Sequence, residues 1–237
     1  NMLFIVQDPY TSYYDAKVVR DFVALTQKLG FEPIILPFKP NGKAMHIKGF
    51  LTRFSKTAKT QAEFLNRVAK LNVPLVGVDP AIVLSYRDEY KEVLGDSRGD
   101  FHVLTAHEWL TNQLESNALQ SAVKNIAKSD RTFEWHLFPH CTESTFMPNS
   151  PKEWQHIFAQ FGQTLNVEKV GCCGMAGVFG HEVQNQTMSK DIYDVSWGKK
   201  LQGKDPNHCL ATGYSCRSQV KRYEKTTLKH PVQALLE

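Results

Sequence analysis

The first 140 residues contain no cysteine, although the chain of 237 residues carries five. No apolar run reaches the roughly 20 residues of a membrane-spanning helix, and no basic segment followed by an apolar one opens the chain as in a secretory signal. Neither sign of charge is in large excess, because the net charge is +4. These absences predict a cytoplasmic protein without nucleic-acid partners or direct membrane insertion, with any attachment to a membrane made through partners.

Nucleotide fingerprints are also missing. The sequence has no GxGxxG segment after a strand and no GxxxxGK[ST] loop, and these are the glycine-rich patterns that cradle phosphates. We therefore expect any flavin of this system to lie on another segment or subunit. Asn1 precedes Met2, which leaves open that the chain is a segment of a longer protein.

Strand-like and helix-like segments alternate along the chain, and this alternation predicts βαβ units with a parallel sheet. The predicted fold class is α/β, with two tandem Rossmann-like lobes. The predicted ranges are a first lobe at 1–95, a helical connector at 96–130 and a second lobe at 131–237. The predicted strands are 3–6, 31–36, 75–78, 135–138, 165–170 and 209–212, and the predicted helices are 15–29, 58–71, 80–90, 107–126, 152–161, 179–197 and 215–223.

The two halves repeat at a fixed offset. Three positions at strand ends or helix starts in the first half have a cysteine 133 or 134 residues further on. The pairs are Asp8 and Cys141, Phe38 and Cys172, and Ile82 and Cys216. A common offset indicates a duplicated unit whose first copy lacks cysteines.

The cysteines lie at or near the ends of predicted strands in the second half. They are Cys141, Cys172, Cys173, Cys209 and Cys216. Because the carboxyl ends of parallel strands share one edge of a sheet, we expect these side chains to converge. Thiolates are soft ligands that suit an iron–sulfur cluster or zinc. Gly171 and Gly174 flank the Cys172–Cys173 pair and let the backbone, with its N–H groups, approach an inorganic core; both are candidate cofactor-binding residues.

Other interpretations of these cysteines stay open. A buried cysteine is often a small hydrophobic residue, and zinc is the main rival to a cluster, although the chain has no pair of cysteines separated by two to four residues. Disulfides are disfavoured by the odd count and the expected compartment. His140 and His208 adjoin cysteines, but sequence neighbours on a strand face opposite ways. His181 is a candidate at the cluster edge or, alternatively, a helix-cap or surface residue.

The segments FPHC, GCCGMAG and TGYSCRSQVKR resemble the cysteine-rich CCG domain of heterodisulfide reductase and of iron–sulfur subunits of glycolate oxidase and anaerobic glycerol-3-phosphate dehydrogenase. With the ending KHPVQALLE, the second half is most similar to large FAD-linked oxidases of the D-lactate and D-2-hydroxyglutarate dehydrogenase kind. The resemblance implies one [4Fe–4S] centre, cubane or non-cubane, held by Cys141, Cys172, Cys173 and Cys216. Gly213 stands where the family has a further cysteine, and Cys209 is a candidate substitute.

The resemblance also implies a role. The chain is expected to act as the electron-transfer part of an FAD-linked dehydrogenase of D-2-hydroxy acids, relaying electrons from flavin to a quinone or a redox protein. The dehydrogenation itself is not expected on this segment, so no catalytic residue is assigned. The alternatives are a zinc-stabilised or metal-free α/β module that docks subunits, and disulfide chemistry at the cluster.

Overall fold

Each half of the chain is built around a parallel β-sheet. The computed structural model describes residues 1–115, 119, 122–123, 126 and 134–237. By its internal contacts the chain divides into the units Asn1–Trp109 and Leu110–Glu237. The predicted α/β fold with parallel sheets is confirmed. Among the described residues, no helix is both long and apolar enough to cross a membrane.

The first unit has a sheet of strand order β2-β1-β3-β4 within the described residues. All its pairings are parallel, with Phe4 opposite Ile34 and Ile5 opposite Val76. The strands are β1 (Met2–Ile5), β2 (Glu32–Ile35), β3 (Leu75–Gly77) and β4 (Val103–Thr105), and the helices up to the end of the first described range are α1 (Pro9–Tyr13), α2 (Ala16–Lys28), α3 (Lys43–Ile47), α4 (Leu51–Ala69), α5 (Pro80–Arg87), α6 (Glu89–Leu94) and α7 (Ala106–Glu115).

The second unit repeats this layout with the strand order β6-β5-β7, again parallel throughout the residues described. In both sheets the first strand lies between the second and the third, which is the topology that a duplicated unit predicts. The strands are β5 (Glu134–Phe138), β6 (Thr164–Val167) and β7 (Cys209–Ala211), and the helices are α8 (Cys141–Phe146), α9 (Ser150–Gln160), α10 (Gln186–Tyr193), α11 (Lys199–Leu201), α12 (Tyr214–Glu224) and α13 (Pro231–Ala234).

Several predicted elements differ from the structure. The helix predicted at 80–90 is divided at Asp88 into α5 and α6. The helix predicted at 58–71 begins earlier, at Leu51, because Phe54 joins Ala58 on its buried face. Within the range predicted as a helical connector, 96–130, the described residues include β4 and α7. The rest of that range lies partly outside the described residues, and the predicted domain bounds stay a prediction. The helix predicted at 179–197 is divided into the short helical segments Phe179–His181 and Val183–Asn185, then α10, then a π-helical turn at Asp194–Gly198.

Carboxylates occupy the sheet edge of the first unit at positions where the second unit has its cysteine-bearing turns. Asp8 caps α1 by accepting hydrogen bonds from the backbone N–H groups of Tyr10 and Thr11, at 2.8 and 3.0 Å. Asp79 caps α5 in the same way, with the N–H of Ala81 at 3.0 Å. In the first repeat, carboxylate oxygens thus accept hydrogen bonds from the backbone N–H groups at the starts of these two helices. No cysteine stands at these positions.

Candidate functional site

Four cysteines meet at one edge of the second sheet. Cys141 opens α8 directly after β5, Cys172 and Cys173 lie in the loop after β6, and Cys216 lies in the first turn of α12 after β7. Since β6, β5 and β7 are adjacent and parallel, their carboxyl ends bring these three segments together. The convergence predicted for this set is therefore present in the structure.

The four thiols contact one another through their side chains. Cys141 and Cys172 are hydrogen-bonded, as are Cys172 and Cys173, and Cys173 and Cys216. Cys216 also interacts electrostatically with Cys141. Cys173 and Cys216 are buried, whereas Cys141 and Cys172 are half-buried. The group therefore has an inner pair of sulfurs and an outer pair nearer to solvent.

The backbone of the loop after β6 points N–H groups at the sulfurs. The N–H of Gly174 donates to Cys172 Sγ at 3.3 Å, the N–H of Ala176 also donates to Cys172, and that of Met175 donates to Cys173. Gly174 has φ +84°, and a Cβ there would lie 2.1 Å from the carbonyl oxygen of Ser189. Only glycine fits this position, because both the backbone angle and the space exclude a side chain.

These hydrogen bonds divide charge unevenly among the thiols. The pKa of Cys172 lies well below that of a free cysteine, because its sulfur accepts hydrogen bonds from the Cys141 and Cys173 thiols and from backbone N–H groups. The pKa values of Cys141 and Cys173 are raised, since each donates its proton to Cys172 and is partly or wholly buried. Without a cation the group therefore favours one thiolate supported by neighbouring thiols.

Cys209 does not join this group. It lies at the amino end of β7, opposite His136 in β5, whereas the other cysteines follow the carboxyl ends. Its electrostatic neighbours within the described part of the chain are Lys204, Glu168 and Asp205, and burial raises its pKa to about 11. The structure thus places Cys209 as a core residue of the second unit, fully buried beside Ala211.

The other predicted residues have mixed positions. The N–H of Gly171 donates to Ser196 Oγ at 2.7 Å, and its carbonyl accepts from Trp197 Nε1 at 3.1 Å, so this glycine ties the loop to the π-helical turn. His181 is exposed, and its Nδ1 lies 3.5 Å from the guanidinium of Arg222. That contact supports the surface alternative for His181 more than a position at the cluster edge.

A buried polar network lies behind the thiols, and no sequence pattern predicted it. Glu143 in α8 is 1% exposed and accepts hydrogen bonds from the hydroxyls of Ser150 and Thr212. Thr212 Oγ1 in turn accepts from the backbone N–H of His140 at 2.9 Å. The buried Arg217 donates to the carbonyl oxygens of Ala211 and Thr212, at 2.9 and 3.0 Å. This network joins the carboxyl ends of β5 and β7. Because Cys141 follows β5 and Cys216 follows β7, the network helps to position both cysteines.

The donor set fits a thiolate-bound metal centre by its chemistry. Four soft sulfur donors converge, backbone N–H groups face them, and the surrounding residues Phe138, Trp197 and Met175 are apolar and buried. Among the described residues, however, no group of three or more His, Cys, Asp or Glu side chains is arranged to hold a metal ion. The structure therefore shows a cluster of thiols, and metal binding by this cluster is proposed below.

Comparison with characterised proteins gives close and distant relatives. The D-2-hydroxyglutarate dehydrogenase of Haemophilus influenzae is 81% identical over 237 residues, which are 100% of this chain and 23% of that protein. The D-2-hydroxyglutarate dehydrogenase of Escherichia coli is 58% identical over 235 residues, 99% of this chain and 22% of that protein. The chain is similar to D-2-hydroxyglutarate dehydrogenases. No protein-family model matches it.

A more distant relative is a subunit of the anaerobic glycerol-3-phosphate dehydrogenase of Escherichia coli, 21% identical over 232 residues, which are 96% of this chain and 57% of that protein. Together these relatives confirm the predicted likeness to the D-2-hydroxyglutarate dehydrogenase kind, whereas the assignment to the CCG domain stays a prediction. The chain spans less than a quarter of the length of the D-2-hydroxyglutarate dehydrogenases that it matches.

Proposed function

We propose that this chain is the electron-transfer segment of an FAD-linked D-2-hydroxy acid dehydrogenase and that Cys141, Cys172, Cys173 and Cys216 hold an iron–sulfur cluster. In this proposal the ligands all belong to the CCG-type second lobe, 131–237. The flavin lies on another part of the same polypeptide or complex, and the acceptor is a quinone or a redox protein. When bound, the cluster would supply one-electron transfer between them.

The observation that carries the proposal is the set of pairwise side-chain interactions that link four thiols from three separate turns of the chain. A single buried cysteine is often only a packing residue, and Cys209 is an example in this unit. Four thiols at one sheet edge, with N–H groups of Gly174 and Ala176 directed at one of them, form an environment suited to an anionic metal–sulfur group.

The relatives narrow the substrate class. Because the chain aligns over its whole length with proteins named D-2-hydroxyglutarate dehydrogenase, we propose D-2-hydroxyglutarate, or a related D-2-hydroxy acid, as the substrate of the complete enzyme. The more distant relative is a subunit of another dehydrogenase, anaerobic glycerol-3-phosphate dehydrogenase. A segment shared by two dehydrogenases of different substrates supports a role in electron transfer more than one in substrate recognition.

The chain's own residues have defined tasks in this proposal. Cys173 and Cys216 are buried and would bind the inner side of the cluster, whereas Cys141 and Cys172 are partly exposed and would form the side nearer to an electron-transfer partner. The network around Glu143 holds the ends of β5 and β7 together. Substrate oxidation would take place away from this segment.

The test is anaerobic purification of the full-length protein that contains this chain, followed by iron and acid-labile sulfide analysis and by EPR spectroscopy of the reduced protein. We expect iron and sulfide in cluster proportion and a signal that is lost in Cys172→Ser and Cys216→Ser. Cys209→Ser is the matched control and should retain iron, because the electrostatic neighbours of Cys209 in the described part of the chain are Lys204, Glu168 and Asp205.

Three results would contradict the proposal. Full iron occupancy in Cys172→Ser or Cys216→Ser would show that the proposed set of ligands is wrong. Stoichiometric zinc without iron in anaerobically purified protein would favour a zinc-stabilised docking module. A change of the EPR signal on addition of a disulfide substrate, with no reduction of the cluster by D-2-hydroxyglutarate, would favour disulfide chemistry.

A further inference from the structure

His140 precedes the first cysteine of the cluster and is almost fully buried. Its Nδ1 accepts a hydrogen bond from the backbone N–H of Thr142 at 3.2 Å, so His140 is the N-cap of α8. A nitrogen that accepts from an N–H group carries no proton itself. In the neutral imidazole the ring proton is therefore on Nε2, and the cap determines which nitrogen can donate.

The Nε2 atom is directed at the next cysteine-bearing turn. It lies 3.2 Å from Ser215 Oγ, and Ser215 Oγ lies 4.0 Å from Cys216 Sγ. Because Nε2 donates to the hydroxyl oxygen, the hydroxyl hydrogen of Ser215 is left to point elsewhere, and Cys216 Sγ is an acceptor within reach for sulfur. The ring comes this close because Gly213 has no side chain; a Cβ there would lie 2.3 Å from His140 Cδ2.

From this geometry we propose that His140 is a positioning residue for Cys216, acting through Ser215: the imidazole orients the Ser215 hydroxyl so that it donates a hydrogen bond to the Cys216 sulfur. The proposal rests on the proposed function, in which Cys216 is a cluster ligand. Hydrogen bonds to cluster sulfurs stabilise the more negative, reduced state and so raise the reduction potential. His140 would then influence the potential without touching the cluster.

Two substitutions separate this role from helix capping. In His140→Asn the amide reaches about as far as Nδ1, so the side chain can still accept from the Thr142 N–H but cannot reach Ser215. In His140→Gln the amide nitrogen reaches about as far as Nε2 and can still donate to Ser215. A purely structural role through the cap predicts a mild effect for Asn, whereas the hydrogen-bond chain predicts retention of the wild-type potential for Gln.

The experiment is a redox titration, followed by EPR, of the full-length protein carrying His140→Asn, His140→Gln or Ser215→Ala. Ser218→Ala, the same change elsewhere on α12, is the control. We expect His140→Asn and Ser215→Ala to retain iron and to shift the midpoint potential to lower values by similar amounts. Combining the two should add no further shift, and His140→Gln and Ser218→Ala should match the wild type.

Unchanged potentials in both His140→Asn and Ser215→Ala, at full iron occupancy, would overturn the proposal, as would a His140→Gln shift as large as that of His140→Asn. If the wild-type protein holds no iron, the proposed function has failed and the hydrogen-bond chain is tested separately on Co²⁺-substituted protein. There the thiolate-to-cobalt absorption band should move in His140→Asn and Ser215→Ala and stay in place in His140→Gln. An absorption band at the same wavelength in all variants would also contradict the proposed hydrogen bonds from His140 through Ser215 to Cys216.

Discussion

The hydroxyl of Thr212 donates a hydrogen bond to the carboxylate of Glu143, and so joins the residue after β7 to the helix after β5. Both residues are 1% exposed. A buried carboxylate is tolerated when its oxygens accept hydrogen bonds, and here Ser150 provides a second donor. The contact connects two turns that are 69 residues apart in sequence and that each position a cysteine.

We predict that Glu143→Ala and Thr212→Val each lower the free energy of unfolding by about 1–3 kcal/mol, because each leaves a buried polar group without its partner. In the double variant the loss should be smaller than the sum by at least about 0.5 kcal/mol, since both changes remove the same bond. Urea unfolding of the four proteins measures this coupling. Thr164→Val, at an exposed position of β6, is the control, and strict additivity would show that the bond does not contribute.

Gly174 and Gly171 flank the cysteine pair but should differ in their tolerance of a side chain. A Cβ at Gly174 would overlap the backbone of Ser189, at 2.1 Å, and φ is +84°, whereas a Cβ at Gly171 would lie 3.5 Å from Ser196 Oγ. We therefore predict that Gly174→Ala displaces the N–H groups that face Cys172 and abolishes metal incorporation. Gly171→Ala should retain it, and metal analysis of the two purified variants is the check. Equal metal contents would show that the loop does not depend on Gly174.

Gly213 and His140 form a second close contact that can be tested by stability alone. Because a Cβ at Gly213 would lie 2.3 Å from the imidazole, Gly213→Ala should lower the free energy of unfolding by about 1–3 kcal/mol through overpacking. In a protein that already carries His140→Ala, Gly213→Ala should cause little further decrease in the free energy of unfolding. Gly198→Ala, where the nearest atom to a Cβ would be 3.5 Å away, serves as the control. A loss that persists without the imidazole would have to come from the backbone.

Asp8 should make the stability of the first unit dependent on pH. Burial and the nearby Asp79 raise the pKa of Asp8 from 3.8 to about 6. Between these two pH values the folded state therefore binds more protons than the unfolded state. The contribution of Asp8 to the free energy of unfolding is complete below about pH 4 and is lost as pH rises through 6. We predict that Asp8→Asn, which keeps a side chain suited to the N-cap, removes this loss.

The measurement is urea unfolding of the wild type and Asp8→Asn at pH 5 and at pH 7.5. The decrease in free energy of unfolding between the two pH values should be smaller in the variant by about 1.4 kcal/mol, because only about one pH unit of the range between 3.8 and 6 lies above pH 5. Asp15→Asn, at the partly exposed start of α2, controls for the removal of a carboxylate. If the pH dependence of Asp8→Asn equals that of the wild type, the Asp8 proton is not linked to folding.

Elements that depend on local pattern were predicted well from the sequence. The strands around Phe4, Ile34 and Leu137 and the helix Ala16–Lys28 lie where hydrophobic periodicity places them. The helix predicted at 179–197 was wrong in its continuity. Val183 is 82% exposed, so burial of an apolar face does not stabilise a regular helix over the first part of this range.

Residue order alone was enough to predict a parallel α/β chain with a repeated unit whose thiols occur only in the second copy, because periodicity and residue identity are local properties. Which cysteines belong together depended on tertiary packing. Cys209 lies at the amino end of β7 and Cys216 beyond its carboxyl end. The side-chain contacts that join Cys216 to the other cysteines depend on packing between segments that are distant in sequence. Packing likewise brought Glu143, Thr212 and His140 together, since their pairing depends on contacts between turns distant in sequence.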